Sequence, residues 1–359
     1  MPWRKTVTVF PRNAYRNILH DMRDAFPIAE HLRALQERPG ASPKQVRQMI
    51  ENWAVQHDSL AANRLLHALV LKYAAAEKDL YRLNRELLAK QEKIDEDLSA
   101  AAEIQRSLLP RKPADYGPLD IDWAFEPSAH IGGDIFNLIR LADHLWAIYT
   151  LDISGHGVPA AMVAVSVYQA LQPGSGFVSR PDMQGTQGQS PRRPAEVLKA
   201  LDAGYPFERF SNFFTMVYLI LDTERNTLTY SNAGHPRPVI LRRDGRVKLL
   251  KRGGPFIGLF GIRLPEEDDG FMEEQLAFNP GDKLFLYTDG LNEYMNPEGD
   301  MYGNQRLHAR LKQHAGEGVS AIIDAVRASW LDFGRGAPPA DDVTLVGIEF
   351  KELEEEKLR

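Results

Sequence analysis

A chain of 359 residues with 43% hydrophobic content has enough apolar material for a sizeable core and for more than one domain. Its formal charge of −6 speaks against a generic nucleic-acid binder, and no apolar run reaches membrane-spanning length. It has no cysteine, which rules out disulfides, thiolate-bound zinc and a phosphocysteine intermediate, and its N-terminus lacks the apolar stretch of a signal peptide; a cytoplasmic protein is expected.

Residues 12–37 show helical spacing, with Ile18, Met22, Phe26, Ala29 and Leu32 on one face and Pro27 as a break. Pro39-Gly40-Ala41-Ser42-Pro43 is a turn in which Ser42 suits an N-cap. No Pro or Gly then occurs until Pro110, so a very long helix is predicted, one that needs a partner surface. Its second half carries a heptad seam of Tyr73, Leu80, Leu87, Ile94, Ala101 and Leu108. Leu83 and Ile104 hold the complementary position, which Lys90 and Asp97 weaken in the middle. Two readings stay open: a helix packed along its own domain, or a dimerising signalling helix that leads into the next domain, the one favoured here. A seam with a weak centre could adopt two arrangements of similar energy. The expected organisation is an all-α regulatory region over 1–70 and a coiled-coil-like linker helix over 71–112.

After Pro110 the pattern changes to short apolar or alternating runs at 119–125, 145–151, 215–221, 227–230, 238–241, 283–287 and 343–350, which read as strands. Arg243-Asp244-Gly245 reads as a hairpin turn. Helices are expected over 159–171, 194–207 and 319–333, a mobile loop over 173–194, and a charged tail over 352–359. Antiparallel strands with a few long helices give an α+β domain in layers, spanning 113–351.

Four acidic segments stand at the ends of apolar runs: Gly132-Gly133-Asp134, Asp152-Ile153-Ser154-Gly155-His156-Gly157, Thr288-Asp289-Gly290 and Asp341-Asp342. Carboxylates at strand ends can converge on one rim, and such a cluster is costly unless cations neutralise it. Oxygen ligands favour Mg²⁺ or Mn²⁺, and the chemistry that most often accompanies them is phosphoester hydrolysis by water activated at the metal.

The order of these segments, with Ala160-Ala161 after the second and Asn232-Ala233-Gly234-His235-Pro236 before the third, resembles the SpoIIE/RsbU branch of the PP2C (PPM) protein serine/threonine phosphatases. The resemblance runs from about Ile104-Gln105-Arg106-Ser107-Leu108-Leu109-Pro110 to Phe350. It implies two packed β-sheets covered by helices, and two divalent ions. Asp152 would bridge them, with the carbonyl of Ile153 as a further ligand; Asp289 and Asp341 would hold the second ion. Asp134 would hold metal-bound water or contribute to the first ion; Asp342 fits a ligand position less well than its neighbour, and its alternative role is to support the ligands without binding metal itself. Many members carry an aspartate where this chain has Asn137, which leaves a third metal open. His156 and His235 read mainly as turn residues, and no arginine is identified as a phosphate clamp.

The substrate implied is a phosphorylated STAS (anti-anti-sigma) protein in a partner-switching pathway. An upstream regulator of the N-terminal helices and a homodimer complete the partners expected. Two alternatives are a phosphatase-like scaffold that binds without turnover and, on Gly132-Gly133-Asp134 alone, a nucleotide cyclase.

Overall fold

The computed structural model describes residues 48, 52, 60–111, 116–128, 130–181, 189–259 and 270–351, apart from the side chains of 60–71, 73, 181 and 189. The helix read over 12–37, the turn at 39–43 and the tail 352–359 lie outside the described residues. Two compact units divide between Gln91 and Glu92.

Helix α1 spans Leu60–Leu108, 49 residues without a break. It stops just short of Pro110, and a tighter bond from Leu109 N–H to the Arg106 carbonyl (3.2 Å) closes its last turn. In the first unit Leu80 and Leu87, two of the seam residues described, are 54% and 59% exposed. The second unit departs from a uniform seam. Ala101 packs in a small cluster with Ala102, Ile131 and Ala161, and Leu108 packs on the main core. The last turns of the helix therefore follow the reading of a helix laid along its own domain.

The second unit is a sandwich of two five-stranded antiparallel sheets. One contains β1 (Leu119–Glu126), β8 (Val239–Leu241), β9 (Val247–Leu249), β11 (Lys283–Tyr287) and β12 (Val343–Phe350), in the order β1-β12-β11-β8-β9. The other contains β2 (Ile135–Ala142), β3 (Leu145–Ile153), β6 (Phe214–Asp222), β7 (Thr227–Ala233) and β10 (Glu273–Ala277), in the order β10-β7-β6-β3-β2. The stretch read as a mobile loop instead holds a small ladder of β4 (Ser179–Pro181) and β5 (Gln189–Pro191) on either side of residues 182–188, which lie outside the described residues.

Strand period 2 explains the layers. Leu284 and Leu286 of β11, with Val346 and Ile348 of β12, join the core that also holds Ile148 and Leu219 of the opposite sheet. Phe285 and Tyr287, with Val343 and Leu345, turn the other way into a second core. Helix α7 (Val319–Gly334) covers that second core through Ile322, Val326 and Trp330, and helix α6 (Gly303–Gln313) through Leu307 and Leu311. On the other sheet, α2 (Val158–Ala170) and α3 (Pro194–Gly204) add Ala160, Val163, Val167, Val197 and Leu201 to the main core. Strands covered on both faces read as continuous apolar runs, which is why β3, β11 and β12 are evident in the sequence. The helix expected over 194–207 ends earlier, at Gly204, and a short helix α4 (Phe207–Phe210) follows Pro206.

Candidate metal centre

All four acidic segments lie at one end of the sandwich, and they come from both sheets. Asp134 immediately precedes β2. Asp152 lies inside β3 rather than beyond it, because the strand extends to Ile153 and pairs Asp152 with Thr215 of β6. Asp289 opens the short helix α5 (Asp289–Asn292) directly after β11, and Asp341 and Asp342 lead into β12.

The charges on these residues act on one another. The Asp152 carboxyl is pushed up to about 8, first by burial and then by Asp289, Asp341 and Asp342. Asp134 is held well above the usual carboxylate range by burial and then by Asp152 and Asp342. Burial raises Asp289, with Glu293 adding to it. Burial raises Asp341 as well, with Asp289 and Asp342 adding and His156 opposing. Every charge acting on Asp152 thus has its own sign, and five aspartates share one neighbourhood.

Asp134 is the deepest of them, at 1% exposure. Its Oδ2 accepts hydrogen bonds from the hydroxyls of Thr288 (2.8 Å) and Thr344 (2.5 Å), at the end of β11 and in β12. These bonds tie the edge of one sheet to the rim of the other. The Ile153 carbonyl lies against Gly133, where a Cβ would meet it at 2.9 Å. Asn137 is not part of the rim: it stands opposite Tyr149 in the β2–β3 ladder, and its Oδ1 accepts from the Leu138 N–H (2.8 Å).

The two histidines, both read as turn residues, differ in their surroundings. His156 is exposed beside Asp341. His235 is buried, and its Nδ1 lies 2.8 Å from the Thr215 hydroxyl, on the residue opposite Asp152. Burial lowers its pKa to about 3, so it stays neutral. Asn232 closes the same turn, accepting from His235 N–H (2.8 Å) and donating to the His235 carbonyl (3.0 Å).

Sequence reasoning missed the braces. Gln105 of α1 donates to the Gly132 carbonyl (2.7 Å) and accepts from the Gly132 N–H (3.2 Å), so the helix grips the Gly-Gly turn in both directions. A polar side chain on the buried stripe of an amphipathic helix was the available signal. Asn212 likewise supports the Asp152 loop, donating to the Ser154 carbonyl at 2.6 Å.

Among the described residues, no three His, Asp or Glu side chains already stand in a metal-binding arrangement. The donors nevertheless fit a hard divalent cation in kind. They are carboxylates whose mutual repulsion is uncompensated at Asp152, and burial raises the cost of leaving them so.

The profile of the family described as Stage II sporulation protein E (SpoIIE) matches residues 142–351. Phosphoserine phosphatase RsbP of Bacillus subtilis is 27% identical over 260 residues, which cover 71% of this chain and 58% of that protein. Phosphoserine phosphatase RsbU of the same organism is 24% identical over 275 residues, covering 76% of this chain and 75% of its own. The match therefore spans little more than half the length of RsbP. Among solved structures, the SiaA-PP2C domain of Pseudomonas aeruginosa superposes with a TM-score of 0.59 at 23% identity, over 73% of this chain and 99% of that one. That likeness concerns the fold. A family match over more than half of the chain makes this protein a member of the SpoIIE family, and its sandwich has the fold of that PP2C domain.

Proposed function

We propose that the chain is a metal-dependent protein serine/threonine phosphatase. The observation that carries this reading is the convergence of carboxylates from both sheets on one rim, where each raises the proton affinity of another. The names of RsbP and RsbU, phosphoserine phosphatases, support the same chemistry. Asp152, Asp289 and Asp341, with the Ile153 carbonyl, are the groups that would hold Mn²⁺ or Mg²⁺, two ions by family resemblance. Bound there, such ions offset the carboxylate charge and favour attack of water on phosphorus.

The chain's own contribution is placement. Thr288 and Thr344 fix Asp134, His235 and Asn232 stiffen the turn beside Thr215, and Asn212 holds the loop after Asp152. Without cysteine, the route has no phosphocysteine.

The substrate proposed is a phosphorylated STAS-domain protein of a partner-switching pathway, in the cytoplasm. The exposed leucines of α1 suit a parallel homodimer through which an upstream regulator acts on the N-terminal region. No helix among the described residues is long and apolar enough to cross a membrane. A second reading, a scaffold that binds without turnover, draws on the lack, among the described residues, of three His, Asp or Glu side chains already set to hold a metal.

Phosphate release from a phosphoserine STAS protein separates the two. Turnover with Mn²⁺ that stops in excess EDTA is expected. Turnover undiminished in EDTA would sink the metal assignment, and binding without turnover would favour the scaffold.

A further inference from the structure

Asp341 and Asp342 are neighbours at the head of β12, yet their surroundings differ. Asp341 is exposed, whereas Asp342 is only 4% exposed and both of its oxygens are engaged. Oδ1 accepts from the Ser128 N–H (2.8 Å) and the Ser128 hydroxyl (3.1 Å), and Oδ2 accepts from the Gly133 N–H (2.7 Å). All three donors belong to the segment between β1 and β2 that delivers Asp134. The main chain repeats the pattern: the Thr288 hydroxyl that reaches Asp134 also lies 3.3 Å from the Asp342 carbonyl. The space is closed as well, since a Cβ on Gly132 would collide with the Asp342 carboxylate and one on Gly290 with its carbonyl.

A carboxylate that already accepts three hydrogen bonds in a closed space has little capacity left for another ligand. We propose that Asp342 is a positioning residue, a clasp that fixes the Gly132–Asp134 turn against β12 and takes no metal itself. In its kinetic consequence this rests on the hydrolytic reading; in its structural consequence it rests on the hydrogen bonds alone. Asp341, one residue earlier and open to solvent, is the member of the pair that can reach an ion. The Asp342 carboxylate matches two N–H donors and a hydroxyl, and an amide cannot. Asp342→Asn keeps the volume but turns an NH₂ group towards either Ser128 or Gly133, setting donor against donor.

The test compares Asp342→Asn with Asp341→Asn in the full chain, using Mn²⁺ alone as the metal probe. Three quantities are read: Mn²⁺ affinity by direct titration, amide exchange of the peptide holding residues 130–134, and kcat on a phosphoserine protein. For Asp342→Asn, exchange at 130–134 should rise and kcat should fall, each at least tenfold, while Mn²⁺ affinity changes less than threefold. Asp341→Asn should do the reverse, losing at least tenfold in Mn²⁺ affinity with exchange at 130–134 unchanged. Equal loss of Mn²⁺ affinity in the two variants would overturn the proposal by making Asp342 a ligand. Wild-type exchange in Asp342→Asn would overturn it by showing no clasp. A wild-type protein without turnover would refute the hydrolytic reading instead, and exchange would still decide the role of Asp342.

Discussion

The raised pKa of Asp152 makes the metal-free fold pay a pH-dependent penalty that one substitution should remove. An aspartate in an unfolded chain titrates near 3.9, on the order of four pH units below the folded value of about 8. The folded state therefore binds the proton more tightly, and stability falls as pH rises through this window before levelling off above it. At pH 7.5 the difference corresponds to about 5 kcal/mol, an upper figure because neighbouring carboxyls titrate together. Asp152→Asn takes away the group that must ionise. In chelator at pH 7.5 the variant should be more stable than wild type by about 2–5 kcal/mol, and at pH 4 nearly equal to it. Urea unfolding in EDTA across pH 4–8.5 measures both curves. Added Mn²⁺ should reverse the ranking, raising the wild-type midpoint and leaving the variant nearly unmoved. Parallel pH curves for the two proteins in EDTA would refute the argument that Asp152 carries the strain of the rim.

Asp289→Asn should lower phosphoprotein turnover by at least about 100-fold with the thermal melt intact, because it removes a ligand without opening a cavity; near wild-type rates in Mn²⁺ would remove Asp289 from the site. Gly132→Ala drives a methyl into the Asp342 carboxylate and should cost about 1–3 kcal/mol in urea unfolding. Gly176→Ala, with nothing within 4 Å of the new carbon, is its control, and equal effects would count against a tight turn. Charged residues at Leu80 and Leu87 should split a homodimer in sedimentation at micromolar concentration. A wild-type monomer would put the regulatory surface elsewhere.

The parts of the fold that were legible in the sequence are those whose environment is uniform along the element. β3, β11 and β12 are covered on both faces and announce themselves as apolar runs. β9, with the sequence Val-Lys-Leu at the sheet edge, and β10, which opens Glu-Glu-Gln, satisfy little more than backbone geometry, so composition does not distinguish them from loop. β2 was overlooked because Asn137 and Arg140 interrupt its pattern, and α6 because Asn, Gln, His, Arg and Lys outnumber its two buried leucines.

The aspartates were visible because each stands beside an apolar run, with a glycine or another aspartate within three positions. Their supports were not, since Ser128, Thr288 and Thr344 are ordinary polar residues whose partners lie 214, 154 and 210 positions away. Spacing rules describe neighbours along the chain and are silent about such pairs. The heptad seam shows the converse limit: its period continues unbroken through Ala101 and Leu108, while the surface that period meets changes from solvent to the chain's own core.

The carboxylates of the rim have divided ownership. β2 and β3 present Asp134 and Asp152 from one sheet; β11 and β12 present Asp289, Asp341 and Asp342 from the other. The gap the reaction would need is therefore the spacing between the sheets, and that spacing is set by Ile148, Leu219, Leu286 and Val346 in the interior. Interiors this closely packed move as bodies rather than yielding locally. A methylene lost from one of these side chains would tilt one sheet against the other and spread or pinch the carboxylates well before the domain unfolded. If the rim hydrolyses phosphoesters as proposed, a defect in its activity could begin at residues buried far from it.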